Sequence, residues 1–575
     1  MKHIMQFVRP YRGLAALALL FVTLDVLGAL IIPTITADMI NVGVGSGNLN
    51  YIIEKGLLML AVTVLSGASA LMGSYLSARL SAQIGKDMRN ALYEKSLDFS
   101  IHDFEQYGTG SMITRILSDV SVIQQAVVWC VTMVLPVPAL SLMGIVMAFS
   151  IDPSMGLVLG GGVVFVALLT VFISKKAASV FGRLQRFLDR MNVVIRENIT
   201  GVRVIRAFNK EEYETKRMKK SFEDYAKAAV ETNLLFAGLD SFSFFAISIL
   251  VVAILWFGGN RIGAGTMEIG DITALTEYTI LILFYLMMAQ MVIILLPRAR
   301  VCLDRIGEVL DREPEIRDGA GEKTGEDMQK EPAVSFENVS FRFADADEDT
   351  LNNLTFACRR GETTAVIGGT GSGKSTIAKL MMRFYDAGEG TVRVCGSDVK
   401  GMRQQELRER VSYVPQKAWL FSGTIADNLK YGNPDASEKE MLHALAVAQA
   451  DFVTSLPEGL STHTAQGGTN FSGGQKQRLA IARALMKKAD LYIFDDSFSA
   501  LDFKTDSALR KALKEETKDS AVLIIAQRIN TILNADQIIV LNEGKTAGIG
   551  THEELMEHCS VYREIAKSQM RGGEN

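Results

Sequence analysis

Three things are scarce in this sequence: excess positive charge, paired cysteines and, over long stretches of its first half, charge of either sign. The net charge is −4, so the composition gives no reason to expect a nucleic-acid partner. Residues 1–10 lack a small-residue cleavage site, which argues against a signal peptide. The five cysteines lack the spacing of disulfide pairs or metal ligands, which predicts small buried side chains in a reducing compartment: Cys130, Cys302, Cys358, Cys395 and Cys559.

Long apolar segments dominate the first half. The chain has 575 residues and is 48% hydrophobic, and that length predicts more than one domain. A helix spans a bilayer with about 20 apolar residues. Six segments come close to or exceed that length with few charges, and they predict six transmembrane helices in residues 14–35, 52–76, 124–150, 155–173, 235–257 and 272–296. We therefore expect a membrane α-helical domain over residues 1–310, embedded in the lipid bilayer.

Basic residues predict the orientation of these spans. The long connections after the second and fourth spans are rich in Lys and Arg, whereas the loops on the other side hold little beyond Lys55 and Arg261. Because cytoplasmic loops carry the excess of Lys and Arg, both connections and both termini are predicted to be cytoplasmic, in a multi-pass protein of the inner or plasma membrane. Both connections have helical patterns, interrupted by Gly-containing pieces at residues 102–110 and 198–210.

Three acidic residues lie in or near the predicted spans. A charge in hydrocarbon costs roughly 2.5–3.5 kcal/mol on insertion scales, so Asp25, Asp240 and Glu277 are expected to face a cavity or a partner. One interpretation is a site for small lipophilic substrates, cations among them. The other is a hydrogen bond between packed helices or a position near the interface, and the sequence leaves both open.

The second half has the pattern of a globular α/β domain. After a charged linker at residues 311–332, short β-rich runs at 333–336, 363–367 and 391–394 alternate with amphipathic helices. We expect this α/β domain to occupy residues 333–575, following the membrane domain.

A glycine-rich loop identifies the chemistry of this second domain. Residues 368–376 match G-x₄-G-K-[ST] between a predicted strand and a helix expected to reach about Phe384, which is the context that a P-loop requires. Its backbone N–H groups suit phosphates, Lys374 suits the β- and γ-phosphates, and Ser375 suits Mg²⁺. Asp495 ends an apolar strand, as a Mg²⁺-positioning acid does. The predicted nucleotide-binding residues of this loop are Gly368, Gly369, Thr370, Gly371, Ser372, Gly373, Lys374, Ser375 and Thr376.

Further motifs resemble those of the ATP-binding cassette (ABC) transporters. Residues 471–475 resemble the family's signature sequence, residues 411–416 its glutamine loop and residues 499–502 its D-loop. Six spans before one cassette resemble an exporter half-transporter of type IV, whose coupling helices correspond to residues 102–110 and 201–212. The resemblance implies ATP and Mg²⁺ as cofactors and a second half-transporter as partner. It assigns the adenine to Phe343, the metal to Ser375, Gln416 and Asp495, and the partner's ATP to Ser472, Gly473, Gly474 and Gln475.

Two positions depart from the family's pattern. Asp496 stands where a catalytic Glu is expected, and Gln527 where a His is expected. A carboxylate displaced by more than about an ångström is expected to lose on the order of 10²-fold in rate, and an amide does not titrate as His does. Asp496 and Gln527 therefore predict an impaired catalytic site, as in the degenerate-site subunit of bacterial heterodimeric multidrug exporters. Gln466, Gly467 and Gly468 also replace the usual Glu-Arg-Gly of many exporters.

The leading interpretation is an ATP hydrolase coupled to transport, forming one half of a heterodimeric exporter of lipophilic compounds. Two alternatives remain open from the sequence. One is a homodimeric lipid or peptide exporter with two slow sites. The other is an ATP-gated channel or regulatory subunit, although the chain has no long regulatory insert between its halves.

Overall fold

The structure is a computed structural model that describes residues 2–321 and 331–571. Within this range, the side chains at positions 2, 170–179, 181, 185, 236, 239, 240, 291, 293, 294, 570 and 571 are not described. Most of the predicted linker, residues 322–330, and the side chain of Asp240 lie outside the described part. The chain divides into two compact units, Met1–Asp98 with Tyr107–Glu313, and Phe99–Gln106 with Pro314–Asn575.

Long helices build the first unit, because its apolar runs leave every backbone group to be satisfied within a helix. Its helices are Lys2–Val8, Arg12–Asp38, Leu49–Asp98, Thr109–Thr114, Val120–Trp129, Pro136–Ile151, Pro153–Thr200, Val202–Ala207, Glu211–Gly263 and Ile269–Asp311, and π-helical turns occupy Met39–Val44, Arg115–Asp119 and Cys130–Val134.

Five helical segments of the described residues are long and apolar enough to cross a membrane: His3–Val44, Leu49–Asp98, Thr109–Ile151, Ser241–Gly263 and Ile269–Asp311. They contain four of the six predicted spans in full, and Ser241–Gly263 covers the predicted span 235–257 from residue 241 onward. The remaining one contributes a shorter apolar stretch, Pro153–Leu169, before the side chains that are not described, so the sixth span stays a prediction.

Small residues bring the first two long helices close together. A Cβ placed on Gly28 would lie 2.6 Å from Cβ of Ser66, and one on Gly73 would lie 2.8 Å from Cγ2 of Val22. Close backbone approach through small residues is the usual packing of membrane helices. Between them, Ser66 Oγ donates a hydrogen bond of 2.8 Å to Oδ1 of Asp25.

Asp152 lies in the turn between the third and fourth predicted spans. Its Oδ1 accepts hydrogen bonds from the backbone N–H groups of Ser154 and Met155 and so caps the helix Pro153–Thr200. Its Oδ2 lies 2.8 Å from Nη1 of Arg261, at the end of the helix Glu211–Gly263. This ion pair joins the two helix ends.

The predicted interruptions of the cytoplasmic connections are confirmed as breaks between helices. The long helix ends at Asp98, a short helix covers Ile101–Tyr107, and Gly108 follows with φ of +72°. In the other connection, Gly201 separates Pro153–Thr200 from the short helix Val202–Ala207.

The second unit contains two main sheets. The strands are β1 (Val334–Phe341), β2 (Leu351–Cys358), β3 (Thr363–Gly368), β4 (Glu389–Val394), β5 (Ser397–Asp398), β6 (Val411–Val414), β7 (Gly423–Thr424), β8 (His463–Thr464), β9 (Leu491–Asp495), β10 (Ala521–Ile525), β11 (Gln537–Asn542) and β12 (Lys545–Gly550). One sheet has the order β12-β11-β3-β10-β9-β6 and is parallel except for β12, and the other has the antiparallel order β2-β1-β4-β5.

Helices cover this parallel sheet, whose interior strands β9 and β10 are buried along their whole length. The helices of the unit are Lys374–Met381, Gln404–Arg410, Ile425–Lys430, Glu438–Val447, Gly473–Leu485, Phe503–Glu516, His552–His558 and Ser560–Arg571. The helix after the P-loop ends earlier than the predicted Phe384, because Arg383 has a left-handed φ of +49°.

The short segment Phe99–Gln106 is part of this second unit. Ile101 packs against the core that contains the β1–β4 strands. Asp103 is fully buried, and its Oδ2 accepts hydrogen bonds from Ser100 and from the backbone N–H of Glu315, at 3.0 Å from the latter. The segment is therefore held by both apolar packing and a buried carboxylate.

Candidate nucleotide-binding site

The P-loop follows β3 and requires glycine at its end. Gly373 has φ of +90°, and a Cβ placed there would lie 2.5 Å from Cδ2 of Leu351. Gly369 and Gly371 face open space. Ser372 Oγ is buried, with no hydrogen-bond partner among the described residues. A loop with open glycines, an unused hydroxyl and a following helix N-terminus fits a phosphate group.

Lys374 folds back onto this loop. Its Nζ donates hydrogen bonds to the carbonyl oxygens of Gly368 and Gly369, at 2.9 and 2.7 Å. Burial lowers the pKa of Lys374, while the charges of Asp496 and Asp495 act in the opposite direction. The ammonium group therefore lies within the loop, where a phosphate would replace the two carbonyl partners.

Parallel pairing brings Asp495 to the same edge of the sheet. In the register of the strands, Ile525 of β10 pairs with Val366 of β3 on one side and with Asp495 of β9 on the other. The Oδ1 atom of Asp495 accepts a hydrogen bond of 2.8 Å from Ser375 Oγ. A hydroxyl and a carboxylate at this spacing are the oxygen ligands that Mg²⁺ prefers.

Tyr413 is a partner of Asp495 that the sequence analysis missed. Its hydroxyl donates a hydrogen bond of 3.3 Å to Oδ2 of Asp495. Burial, and then the nearby carboxylate, raise the pKa of Tyr413, so the hydroxyl remains a donor. Burial also raises the pKa of Asp495, against the effect of its hydrogen bonds with Ser375 and Tyr413. The signal in the sequence that could have identified Tyr413 was its place in β6, shortly before Gln416.

Asp496 is held by two side-chain amides. Nε2 of Gln527 and Nε2 of Gln416 both donate to its Oδ2 atom, at 2.9 and 3.2 Å. Its backbone has a φ of +47°, unusual for a residue with a side chain, and its N–H donates to the carbonyl oxygen of Ile525 at 2.8 Å. The two sequence departures and the glutamine-loop residue thus meet at one carboxylate oxygen.

Phe343 lies in an aromatic cluster, two residues after the end of β1. Its ring meets those of Phe341 and Tyr385 edge to face, with centroids 4.8 and 5.3 Å apart. Nζ of Lys379, in the helix after the P-loop, lies 5.5 Å from the centroid of Phe343. A partly exposed ring in this position is suited to stacking on a base.

The signature residues begin the helix Gly473–Leu485. Ser472 Oγ accepts from the backbone N–H of Gln475, and Oε1 of Gln475 accepts from the N–H of Ser472 in return, at 2.9 Å. This capping box fixes the helix start, and both Ser472 and Gly473 are exposed. No hydrogen bond of the described residues joins Ser472–Gln475 to the P-loop.

The structure therefore brings part of the predicted site together and leaves part of it separate. The P-loop, Ser375, Gln416, Asp495, Asp496 and Gln527 lie at one edge of the parallel sheet. Phe343 is connected to this group through Lys379, and the signature residues lie on a different helix start.

Comparison with known proteins identifies the family. Residues 15–287 match the ABC transporter transmembrane region, and residues 351–499 match the ABC transporter family. The chain is 38% identical over 568 residues to an uncharacterized ABC transporter ATP-binding protein of Mycobacterium tuberculosis, with 98% of this chain and 97% of the relative covered. It is 33% identical over 570 residues to another from Bacillus subtilis, with 99% and 98% covered.

A solved structure of a bacterial Atm1-family ABC exporter with ATP bound has the same fold. The TM-score is 0.82 at 24% sequence identity, and 98% of each chain is covered. The chain belongs to the ABC transporter family, and its cassette binds ATP and hydrolyses it to drive transport across a membrane.

Proposed function

We propose that this chain is one half of a heterodimeric exporter, whose own P-loop holds ATP at an impaired catalytic site. The second half-transporter would supply the competent site. The observation that carries this proposal is the carboxylate of Asp496, which is one methylene shorter than the expected Glu and accepts two amide hydrogen bonds on one oxygen.

A general base must reach its water and accept a proton from it. The shorter side chain of Asp496 reduces the reach. The amides of Gln416 and Gln527 occupy the lone pairs of Oδ2, so only Oδ1 is left to accept a hydrogen bond from a water. A His in place of Gln527 can change its charge near neutral pH, whereas the amide always presents its donor. Both features oppose hydrolysis and leave binding intact.

The binding parts of the site support the other half of the proposal. We assign the phosphates to residues 368–376 and the adenine to Phe343. The donor set of Ser375 and Asp495, with Gln416 nearby, suits Mg²⁺, which when bound supplies charge neutralisation for the phosphates. Tyr413 would hold the second oxygen of Asp495 in place.

The signature helix offers this chain's contribution to a partner. Ser472 is exposed, its oxygen already accepts from the helix N-terminus, and its O–H is left to donate. A donor hydroxyl beside exposed N–H groups and the positive end of a helix suits a phosphate oxygen. We therefore assign Ser472, Gly473, Gly474 and Gln475 to the ATP held by the P-loop of the second half-transporter.

For the substrate we propose small lipophilic molecules, with cations among them. Asp25 is half-buried within the first apolar helix, and Ser66 is its hydrogen-bond donor. Glu277 is exposed on the last long helix, and it carries no assigned role. The proposed setting is the inner or plasma membrane, with the cassette and both termini in the cytoplasm and transport directed outward.

The heterodimer is tested by tagging this chain at its own locus, purifying it from native membranes in mild detergent and measuring subunit stoichiometry by mass spectrometry. We expect an equimolar second chain of similar size, with Glu and His at the positions equivalent to Asp496 and Gln527 and a deviant signature. Recovery of this chain alone, as a dimer, would overturn the heterodimer and favour a homodimer with two slow sites.

A further inference from the structure

Gln569, in the helix Ser560–Arg571, binds the backbone of the loop that carries Gln527. Its Nε2 donates a hydrogen bond of 2.6 Å to the carbonyl oxygen of Gln527, and its Oε1 accepts one of 2.8 Å from the N–H of Ile529. These two backbone groups lie on either side of Arg528, beyond the end of β10, where a strand would obtain such partners from its neighbour. One side-chain amide therefore satisfies both groups of the loop.

Apolar packing anchors the helix that carries Gln569. Tyr562 and Ala566 are buried in the cassette core, and Ile565 packs against that core. Residues three and four apart share one face of a helix, so Gln569 extends this face by one turn. The hydroxyl of Tyr562 also lies 2.8 Å from Nδ1 of His552. An anchored helix therefore presents Gln569 to the loop, although the side chain of Gln569 is itself exposed.

The chain is held on both sides of Gln527. Before it, the buried Ala526 donates its N–H to the carbonyl oxygen of Val366 at 3.0 Å, and after it, Gln569 holds the carbonyl of Gln527. From this backbone the side chain of Gln527 reaches Oδ2 of Asp496 at 2.9 Å. A displacement of about 0.7 Å would lengthen this contact to about 3.6 Å, which is no longer a hydrogen bond.

We propose that Gln569 is a positioning residue for hydrolysis: by holding the carbonyl of Gln527, it keeps the amide of Gln527 on Oδ2 of Asp496. The inference rests on the proposed function, in which Asp496 is the general base and the amides on Oδ2 oppose its action on water.

The expected effect is on turnover and not on ATP binding. Both hydrogen bonds of Gln569 join uncharged groups, so their loss should change the rate on the order of 2- to 10-fold. They go to the backbone of Gln527 and Ile529, and among the described residues no hydrogen bond joins Gln569 to the P-loop. ATP affinity should therefore stay within about twofold.

The test measures turnover at this chain's own P-loop in the purified, full-length transporter. Photoreactive azido-ATP is trapped with vanadate, and this chain is isolated by its affinity tag under denaturing conditions. Gln569→Leu removes both hydrogen bonds from an exposed side chain, and we expect trapping to rise about 2- to 10-fold. In the Gln527→Ala background Gln569→Leu should have no further effect, because the amide that Gln569 positions is gone.

Ser568→Ala is the matched control, because the hydroxyl of Ser568 donates to the carbonyl oxygen of Ile565 within the same helix. Trapping and ATP affinity should both stay at the natural values in this variant. Where Gln527→Ala itself raises trapping, unchanged trapping in Gln569→Leu would overturn the positioning role. An equal fold change from Gln569→Leu in the natural and Gln527→Ala backgrounds would overturn it as well.

Amide hydrogen exchange of residues 527–532 distinguishes this inference from the proposed function. If Gln527→Ala leaves trapping unchanged, the proposed effect of the amide on Asp496 is wrong, and the exchange measurement decides the positioning. Faster exchange in Gln569→Leu than in the natural protein and in Ser568→Ala would support the hold of Gln569 on this loop. Equal exchange in all three proteins would overturn it.

Discussion

Asp496→Glu is the substitution that separates the two proposed causes of the impaired catalytic site, the short reach of Asp496 and the amide of Gln527. It lengthens the side chain by one methylene, about 1.5 Å along a C–C bond. A misplacement of about 1 Å costs on the order of 10²-fold in rate, so restored reach should raise hydrolysis at this P-loop by up to that factor. The second cause is the hydrogen bond of 2.9 Å that Nε2 of Gln527 donates to Oδ2 of Asp496.

Gln527→His addresses that second cause alone. A His can still donate one N–H to the carboxylate, so the net change is smaller than a whole charged hydrogen bond and is about 0.5–1.5 kcal/mol, which is roughly 2- to 10-fold in rate. We therefore expect Asp496→Glu to exceed Gln527→His, and the double variant to be the fastest. Asp496→Asn is the control, because it keeps the shape and removes the base.

The assay must report on this chain's own P-loop. Purified transporter is incubated with photoreactive azido-ATP and vanadate, which traps product at a site that has turned over, and this chain is then separated from its partner by its affinity tag under denaturing conditions. Labelling of this chain should rise in the order Asp496→Asn, natural protein, Gln527→His, Asp496→Glu. The reasoning fails if Asp496→Glu labels no faster than the natural protein, or if Gln527→His alone gives the larger increase.

Three further predictions concern binding and stability. Tyr413→Phe removes the hydroxyl partner of Asp495, so the Mg²⁺ concentration for half-maximal ATP binding should rise several-fold while affinity for Mg²⁺-free ATP is unchanged; an equal effect on both would contradict a positioning role. The pKa of Asp427 is lowered by hydrogen bonds with Thr424, so its carboxylate favours the folded cassette above the ordinary Asp pKa of about 4, and this contribution disappears as pH falls through the lowered value. Asp427→Ala should accordingly lower the melting temperature at pH 7 but not in strong acid, and an equal drop at both pH values would refute this. Asp152→Ala should lower the free energy of unfolding by about 1–2 kcal/mol through the lost helix cap alone, as measured by thermal unfolding in detergent. Asp152→Asn should recover part of this loss because it keeps an oxygen acceptor. Equal losses in both variants would assign the effect to the ion pair with Arg261 instead.

Local sequence patterns predicted much of the fold. The strand before the P-loop was expected at 363–367 and is Thr363–Gly368, and a helix, Gly473–Leu485, begins at the predicted signature sequence. These elements are encoded by neighbouring residues: an apolar run, glycines at a turn, or a capping Ser. Five predicted membrane spans lie in helices for the same reason.

Contacts between distant residues were not predictable in this way. Tyr413 and Asp495 lie on different strands, and they meet because β6 pairs with β9 in parallel register. Gln416 and Gln527 both donate to Asp496 because they follow the ends of β6 and β10, the strands on either side of β9. The sequence identified Asp496 and Gln527 as departures from the family's pattern. It did not show that Gln527 and Gln416 donate to the same oxygen of Asp496, because that contact depends on the sheet register.

The membership of Phe99–Gln106 in the cassette unit has a consequence for how the protein is made. The ribosome produces this segment, between two membrane helices, long before Pro314–Asn575. The amide of Glu315 and the apolar surface under Ile101 find their partners only when the C-terminal half arrives at an already inserted loop. The cassette therefore completes its fold only after the N-terminal helices have been inserted. A fragment expressed from residue 314 onward would lack Phe99–Gln106, leaving the amide of Glu315 without Asp103 and the apolar surface under Ile101 exposed.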